Sequence, residues 1–265
     1  MYDNPRSLLD QITLVHGPHE LLAQHFVMAD AKARDWGVRL RLRSDFNALI
    51  ELNRENRESW PPLSPAFDPV HSNLRIDSAF WLEGIDNRGD TVITEIARLF
   101  DFKNTDVVEE LRALRIYYEN PEPHLAAGER VEIDAPAARV VRGRTMHGGA
   151  IWVRPDWRRN GLTRIISRVC AAYALTRWDT AFTWGLVEPR LHAGGLSQAY
   201  GPHQVAEGVM LRLPFRGDLP AVLIWMSREA LLADLARRIV DDAMVAGQRY
   251  PHQESLTDWA TPRQG

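Results

Sequence analysis

The stretch that most constrains this chain is Val153-Arg154-Pro155-Asp156-Trp157-Arg158-Arg159-Asn160-Gly161-Leu162-Thr163-Arg164. An apolar run, Ala150-Ile151-Trp152-Val153, precedes it. After it, Leu162, Ile165, Ile166, Val169, Cys170 and Tyr173 fall on one face at helical spacing. The order is therefore strand, tight polar turn, helix. A helix that opens from a turn leaves its first backbone N–H groups without partners, and the aligned peptide dipoles add partial positive charge there. Arg158, Arg159 and Arg164 add whole charges. Such a turn is suited to an anion, most naturally a phosphate. The alternative, a basic helix start with no ligand, sets arginines against the dipole and is the less comfortable reading.

The flanking pattern alternates between helical and strand periods. A helix is expected over 7–15, then a second one carrying Leu21, Leu22, Phe26, Ala29 and Ala33 and closed by Gly37. Residues 38–43 alternate as a strand, and Ser44 offers an N-cap to a helix with Phe46, Leu49 and Ile50 on its buried side. The proline-rich segment 60–78 reads as an ordered loop that lines a site. Strands over 79–85 and 91–100 are joined by the turn Asp86-Asn87-Arg88-Gly89-Asp90. Asp106 and Glu109 resemble a capping box for a helix that Pro121 and Pro123 end, and a short strand covers 131–133. A long bent strand over 139–153 has Gly148-Gly149 as its bulge or point of close approach. Beyond the central helix come strands over 180–187, 205–213 and 221–226, with 191–200 ambiguous, and Ser227 caps a last helix. The organisation expected is an N-terminal helical extension (1–37), one mixed α/β domain (38–247) and a polar tail (248–265).

Composition removes several classes. The formal charge of −3 argues against a general nucleic-acid binder. The single cysteine excludes a disulfide within the chain and a cysteine metal cluster. His16, His19 and His25 do not make a metal set, so no metal is expected. No apolar run is long enough to span a membrane and the first residues lack a signal-peptide core, so a cytoplasmic location is expected.

The run Val153-x-Pro155-x-Trp157-Arg158-Arg159-x-Gly161-x-Thr163 resembles the cofactor loop of the GNAT acyltransferase superfamily. There, Val-x-Pro-x-aromatic-Arg leads into Arg or Gln-x-x-Gly-x-Gly or Ala. Thr163 stands where the family usually has Gly or Ala. The order of elements over 38–226 is similar to the family's, while the extension before it and the insertion between Phe100 and Arg139 depart from it. The resemblance implies a mixed, mostly antiparallel central sheet flanked by helices. It also implies acetyl-CoA or another acyl-CoA as co-substrate, its pyrophosphate on the turn and its pantetheine laid beside the motif strand like an added strand. The contacts implied are Ile151, Trp152 and Val153 on the strand, then Arg158, Arg159, Asn160, Gly161, Leu162 and Thr163. An amine acceptor would attack the thioester directly, with no acyl-enzyme.

For that chemistry His147 is the first candidate for general base, because it precedes the glycine pair and histidine titrates near neutral pH. Its alternative is a strand histidine that merely packs. Glu83 and Glu95 are the rivals on the hairpin strands. Tyr200 is the candidate to protonate the leaving thiolate, although the Gly208-Val209 pair follows it at a greater distance than the family pattern has. Cys170 reads as core. Trp60 and Trp81 flank the proline-rich loop and are candidates to line an acceptor or acyl pocket. The acceptor expected is a small amine or amino acid, and the last helix or a strand edge could support a homodimer. Two other readings stay open: a synthase of long-chain N-acyl amino acids, and a non-catalytic acyl-CoA-binding module.

Overall fold

The computed structural model describes residues 7–214 and 217–249. Of the tail expected at 248–265, residues 250–265 lie outside the described residues. In chain order the elements are α1 (Leu8–Gln11), α2 (His19–Asp35), β1 (Arg39–Arg43), α3 (Phe46–Glu55), β2 (Ala79–Ile85) and β3 (Thr91–Phe102). Then follow α4 (Val107–Arg112), α5 (Glu122–Ala126), β4 (Arg130–Glu132), β5 (Gly143–Val153), α6 (Leu162–Trp178) and β6 (Phe182–Val187). The last are α7 (Pro189–Ala193), β7 (Gln204–Leu213), β8 (Gly217–Ser227) and α8 (Arg228–Arg249).

The strands form an eight-stranded sheet in the order β1-β2-β3-β5-β6-β8-β7-β4. Every neighbouring pair is antiparallel except β5 and β6. Both faces of the sheet are covered. Trp81, Ile96, Trp184 and Leu223 pack under α3, the 60–74 loop and α4. Phe80, Leu82, Ala97 and Met146 pack under α2, α6 and α8. A sheet covered on both sides buries alternate residues in two cores, so β2 is buried along its whole length rather than alternating with solvent.

Local chemistry explains most boundaries. Gly37, at φ 74°, closes α2: its N–H donates to Arg34 O and that of Val38 to Ala33 O, the double bond of a left-handed C-cap. The first helix is shorter than its periodicity suggests. Only Leu8–Gln11 is helical, because residues 15 and 16 turn their N–H groups to Thr176 of α6. The Gln11 side-chain amide meanwhile donates to Leu42 O and accepts from Leu42 N, both at 2.9 Å. Asp45, not Ser44, caps α3, its Oδ1 accepting from Ala48 N. Asp106 does cap α4 through Val108 N and Glu109 N. That helix stops at Arg112, before Leu114 enters the left-handed region at φ 57°, so Pro121 and Pro123 open α5 instead of ending α4. Residues 136–140 form a 3₁₀ turn, and β5 starts only at Gly143. The insertion after β3 runs beneath the sheet and ends by adding β4 to the far edge, Val131 opposite Leu211.

Candidate active site

The parallel pair β5 and β6 is joined for only three residues, Thr145↔Phe182, Met146↔Thr183 and His147↔Trp184. Beyond that point β5 stays paired with β3 as far as Val153, and β6 with β8 as far as Val187. Their facing edges are left without a strand partner. The cause is a bulge. Thr94 lies opposite Trp152 and Ile96 opposite Gly149, so Glu95 faces two residues, Ala150 and Ile151. Ala150 takes φ 48°, a conformation that costs a non-glycine residue on the order of 1 kcal/mol, and it bends β5 away from β6. Glycine is required at the parting. A Cβ on Gly149 would stand 2.5 Å from Phe67 Cε2, and one on Gly185 would stand 3.1 Å from Gly148 O. The gap opens into a cavity of about 220 Å³ whose walls include Trp60, Leu63, Phe67, Leu186, Leu196 and Tyr200.

The turn lies at the far end of the same strand. Pro155–Trp157 make a 3₁₀ turn, then Arg159 and Gly161 take φ 68° and 86°. Asn160 Oδ1 accepts from Leu162 N at 3.1 Å, while Gly161 at the N-cap has no side chain to offer the N–H groups that follow. Arg158 is placed differently from the expectation that it offers free donors: its Nε donates to Val153 O and its Nη2 to Ser59 O, tying the turn to the strand end and the proline-rich loop. Arg154 is bound to Asp86 and Asp156. Arg159 and Arg164 are exposed, with no side-chain partner among the described residues. Unpaired strand edges leading to uncapped helix amides and free guanidinium groups fit a pantetheine arm ending in a pyrophosphate. Of the strand residues expected to hold it, Ile151 lines the cavity, whereas the Trp152 ring is buried beneath Trp60 at 5.3 Å between centroids. Val153 is engaged through its carbonyl by Arg158.

At the parting of the strands, Glu95, Ser167, Tyr200 and His203 share a small chamber of about 30 Å³, room enough for a water molecule. Glu95 is buried and accepts a hydrogen bond from Ser167 Oγ at 2.8 Å. Burial lifts its carboxyl pKa to about 8, against the hydrogen bond from Ser167. Burial also raises the Tyr200 phenol well above its usual range, and the Glu95 charge adds to this, so Tyr200 keeps its proton. Tyr200 ends the 3₁₀ turn Leu196–Tyr200, which Arg168 fixes by donating from Nη1 to Ala199 O at 2.5 Å. Arg168 is itself held by Asp234 of α8 at 2.6 Å.

Two candidate bases are corrected by their surroundings. His147 is stacked between Trp184 (centroids 3.9 Å) and Phe67 (4.7 Å), on the sheet face opposite Glu95. Burial, helped by the Arg98 charge, lowers its pKa to about 3, so its imidazole is neutral and a poor proton acceptor. Glu83 points to that same opposite face. Burial works to raise its pKa, but Arg41, Thr91 and Arg43 all donate to it and hold it below the usual carboxylate range. It is a structural anion of the β1–β2–β3 edge. Trp81 is likewise structural, its Nε1 donating to Asp45 O, while Trp60 does line the cavity. Cys170 lies on the buried face of α6, in the core.

Ser167, Gly185 and His203 were not visible as site residues in the sequence. Ser167 is one turn beyond Thr163 on α6, which was a signal available but unweighted. His203 has none, because only the fold brings it to the chamber.

No family model matches the chain, and no curated protein matches it. Among solved structures, it is similar to aminoglycoside acetyltransferase AAC(6')-Ib with acetyl-CoA at 16% identity, over 73% of this chain and 95% of that one, TM-score 0.42. It is also similar to Arabidopsis thaliana NAA60 with acetyl-CoA, at 11% identity, over 72% and 99%, TM-score 0.46. A third is the ribosomal-protein-S5-alanine acetyltransferase from Vibrio fischeri, at 15% identity, over 72% and 93%, TM-score 0.41. The mixed sheet, the parallel pair that parts beside a basic turn, and the helix that turn opens are the arrangement implied by the resemblance of the central run to the GNAT superfamily.

Proposed function

We propose that the protein is an acyl-CoA-dependent N-acyltransferase acting on a small amine or amino acid by direct attack on the thioester. The observation that carries this is the Glu95 carboxyl, buried at the parting of two unpaired strand edges and titrating near pH 8. A carboxylate there takes a proton from the incoming ammonium, directly or through a water in the chamber. The freed amine forms the C–N bond and the C–S bond breaks. Tyr200, still protonated, gives its proton to the departing thiolate sulfur. Backbone N–H groups on the open edge of β5 are the donors available to the developing oxyanion. The nitrogen sheds a second proton as it becomes an amide, and this one restores Tyr200, so the transfer releases one proton overall, the one first taken by Glu95.

A second reading is favoured by the wall of the larger cavity. Leu63, Phe67, Leu186 and Leu196 make it apolar, which suits an acyl chain longer than acetyl. One experiment separates the readings: calorimetric titration with CoA, acetyl-CoA and decanoyl-CoA, followed by thiol release over an amine panel. Binding of none of the three sinks the acyl-CoA reading. Preference for decanoyl-CoA favours the longer chain, and binding without thiol release favours a non-catalytic module.

A further inference from the structure

The cavity at the parting of the strands has two unlike sides. One is the open edge of β5, Gly148 to Ile151, with Phe67 of the proline-rich loop against Gly149. The other is made by the end of β6, by α7 with the turn after it, and by the β7–β8 hairpin, through Leu186, Leu191, Leu196 and Leu219. A cofactor laid beside β5 takes the first side, so an acceptor has to approach the thioester from the second. These four leucines keep surface that a ligand can cover. Leu186, Leu196 and Leu219 are half-buried, and Leu191, at the rim, is 42% exposed. Among the described residues the whole wall holds one acidic residue, Glu188 at the end of β6, and no lysine or arginine. Arg190, which pairs with Glu188 at 3.0 Å, is exposed and stands outside the wall.

Such a wall selects by charge. A cation passes Glu188 on its way in. A carboxylate would give up its water with no cation to replace it, one of the costliest changes a small molecule can undergo on binding. The volume sets the size. About 220 Å³ lies below the usual range of sites for drug-sized ligands, which leaves room for one ring or a short chain.

We propose that the acceptor is a small apolar monoamine, of the arylalkylamine kind, and not an amino acid. This narrows the acyltransferase reading and rests on it. The ring lies against Leu186, Leu191, Leu196 and Leu219, and the nitrogen reaches the parting beside Glu95. The nitrogen forms the C–N bond, CoA leaves as the thiol, and the product is an uncharged amide.

The test is thiol release by the full chain, with acetyl-CoA and with decanoyl-CoA, over ethylamine, phenethylamine, phenylalaninamide and phenylalanine. Phenethylamine should exceed ethylamine in kcat/KM at least tenfold, about the scale for burying one aromatic ring. Phenylalaninamide should follow phenethylamine. Phenylalanine, which differs from that amide in bearing a carboxylate, should fall about a hundredfold below it. Leu191→Arg, at the exposed rim, offers the carboxylate a partner and should narrow that gap about tenfold, with thermal unfolding as the check that it folds like the wild type. Phenylalanine used as well as its amide by the wild type overturns the proposal. So does equal use of ethylamine and phenethylamine, which together with a preference for decanoyl-CoA gives the apolar wall to the acyl chain. A gap unchanged by Leu191→Arg overturns the placement of the acceptor against α7. Each of these results leaves the acyltransferase reading standing. Thiol release with none of the four amines, from a protein that binds acetyl-CoA, sinks that reading and the proposal with it.

Discussion

Replacing Glu95 by Gln isolates the ionisable group while leaving an amide oxygen to accept from Ser167 Oγ. Two measurable quantities should move. In catalysis, wild-type kcat should rise with pH through a limb near pH 8, where Glu95 loses its proton. The variant should lose that limb and about 10²–10³ of kcat, the usual scale of a positioned general base, with KM for acyl-CoA little changed. In stability the sign is fixed by linkage. The folded-state pKa of about 8 exceeds the ordinary 4.5, so folding takes up a proton between those values. The contribution is fully present below pH 4.5 and is lost as pH rises through 8. At roughly 1.4 kcal/mol per pH unit, the wild type loses up to about 5 kcal/mol across that interval, an upper bound. The neutral Gln has no such loss, so it should be the more stable protein at pH 9 and close to wild type at pH 4.5. Urea unfolding at the two pH values and a pH–rate profile are the assays. A rising limb near pH 8 that survives in the variant, or a stability difference that ignores pH, refutes the reasoning.

Tyr200→Phe should lower kcat about a hundredfold with little change in KM, because only the thiolate loses its proton donor; steady-state kinetics decides it. Gly149→Ala places a Cβ within 2.5 Å of the Phe67 ring, so thermal unfolding should show a loss of about 1–3 kcal/mol, and unchanged stability would mean that Phe67 is free to move. Asp234→Asn leaves Arg168 buried without its charge partner and should cost on the order of 3–5 kcal/mol in urea unfolding.

Much of the architecture is legible in residue periodicity, since each amphipathic run needs a sheet or helix to cover it. The close approach beside the bulge is announced by Gly148-Gly149, and the bound of α2 by Gly37. The site is less legible, for physical reasons. His147, Glu83 and Glu95 lie on neighbouring strands and look equivalent as titratable residues. What separates them is the face each turns to and what covers that face. Glu95 meets Ser167 and a chamber, His147 meets two aromatic rings, and Glu83 meets two arginines. Period-two alternation says that adjacent strand residues point apart, but which face carries the chemistry depends on a contact made 72 residues away. Arg158 shows the same limit: its charge is plain in the sequence, but its carbonyl partners Val153 and Ser59 are not.

The two hydrogen bonds between the Gln11 amide and the backbone of Leu42 have a consequence for solubility. β1 is the outermost strand on its side of the sheet, and an outer strand offers its free N–H and C=O groups to any other extended chain. The Gln11 side chain imitates one residue of a neighbouring strand and closes that template near the end of β1. Arg39 adds an exposed charge at the start of the same strand, and Arg41 and Arg43 are paired with Glu83. At the opposite border β4 is three residues long and carries Arg130 and Glu132, which pair with each other, and Glu132 also pairs with Arg212. Both borders are thus guarded against strand addition. The guard at β1 is detachable, because it belongs to the N-terminal segment. A truncation starting at His19 would uncover Leu42 and convert a protected border into a seed for intermolecular β-pairing.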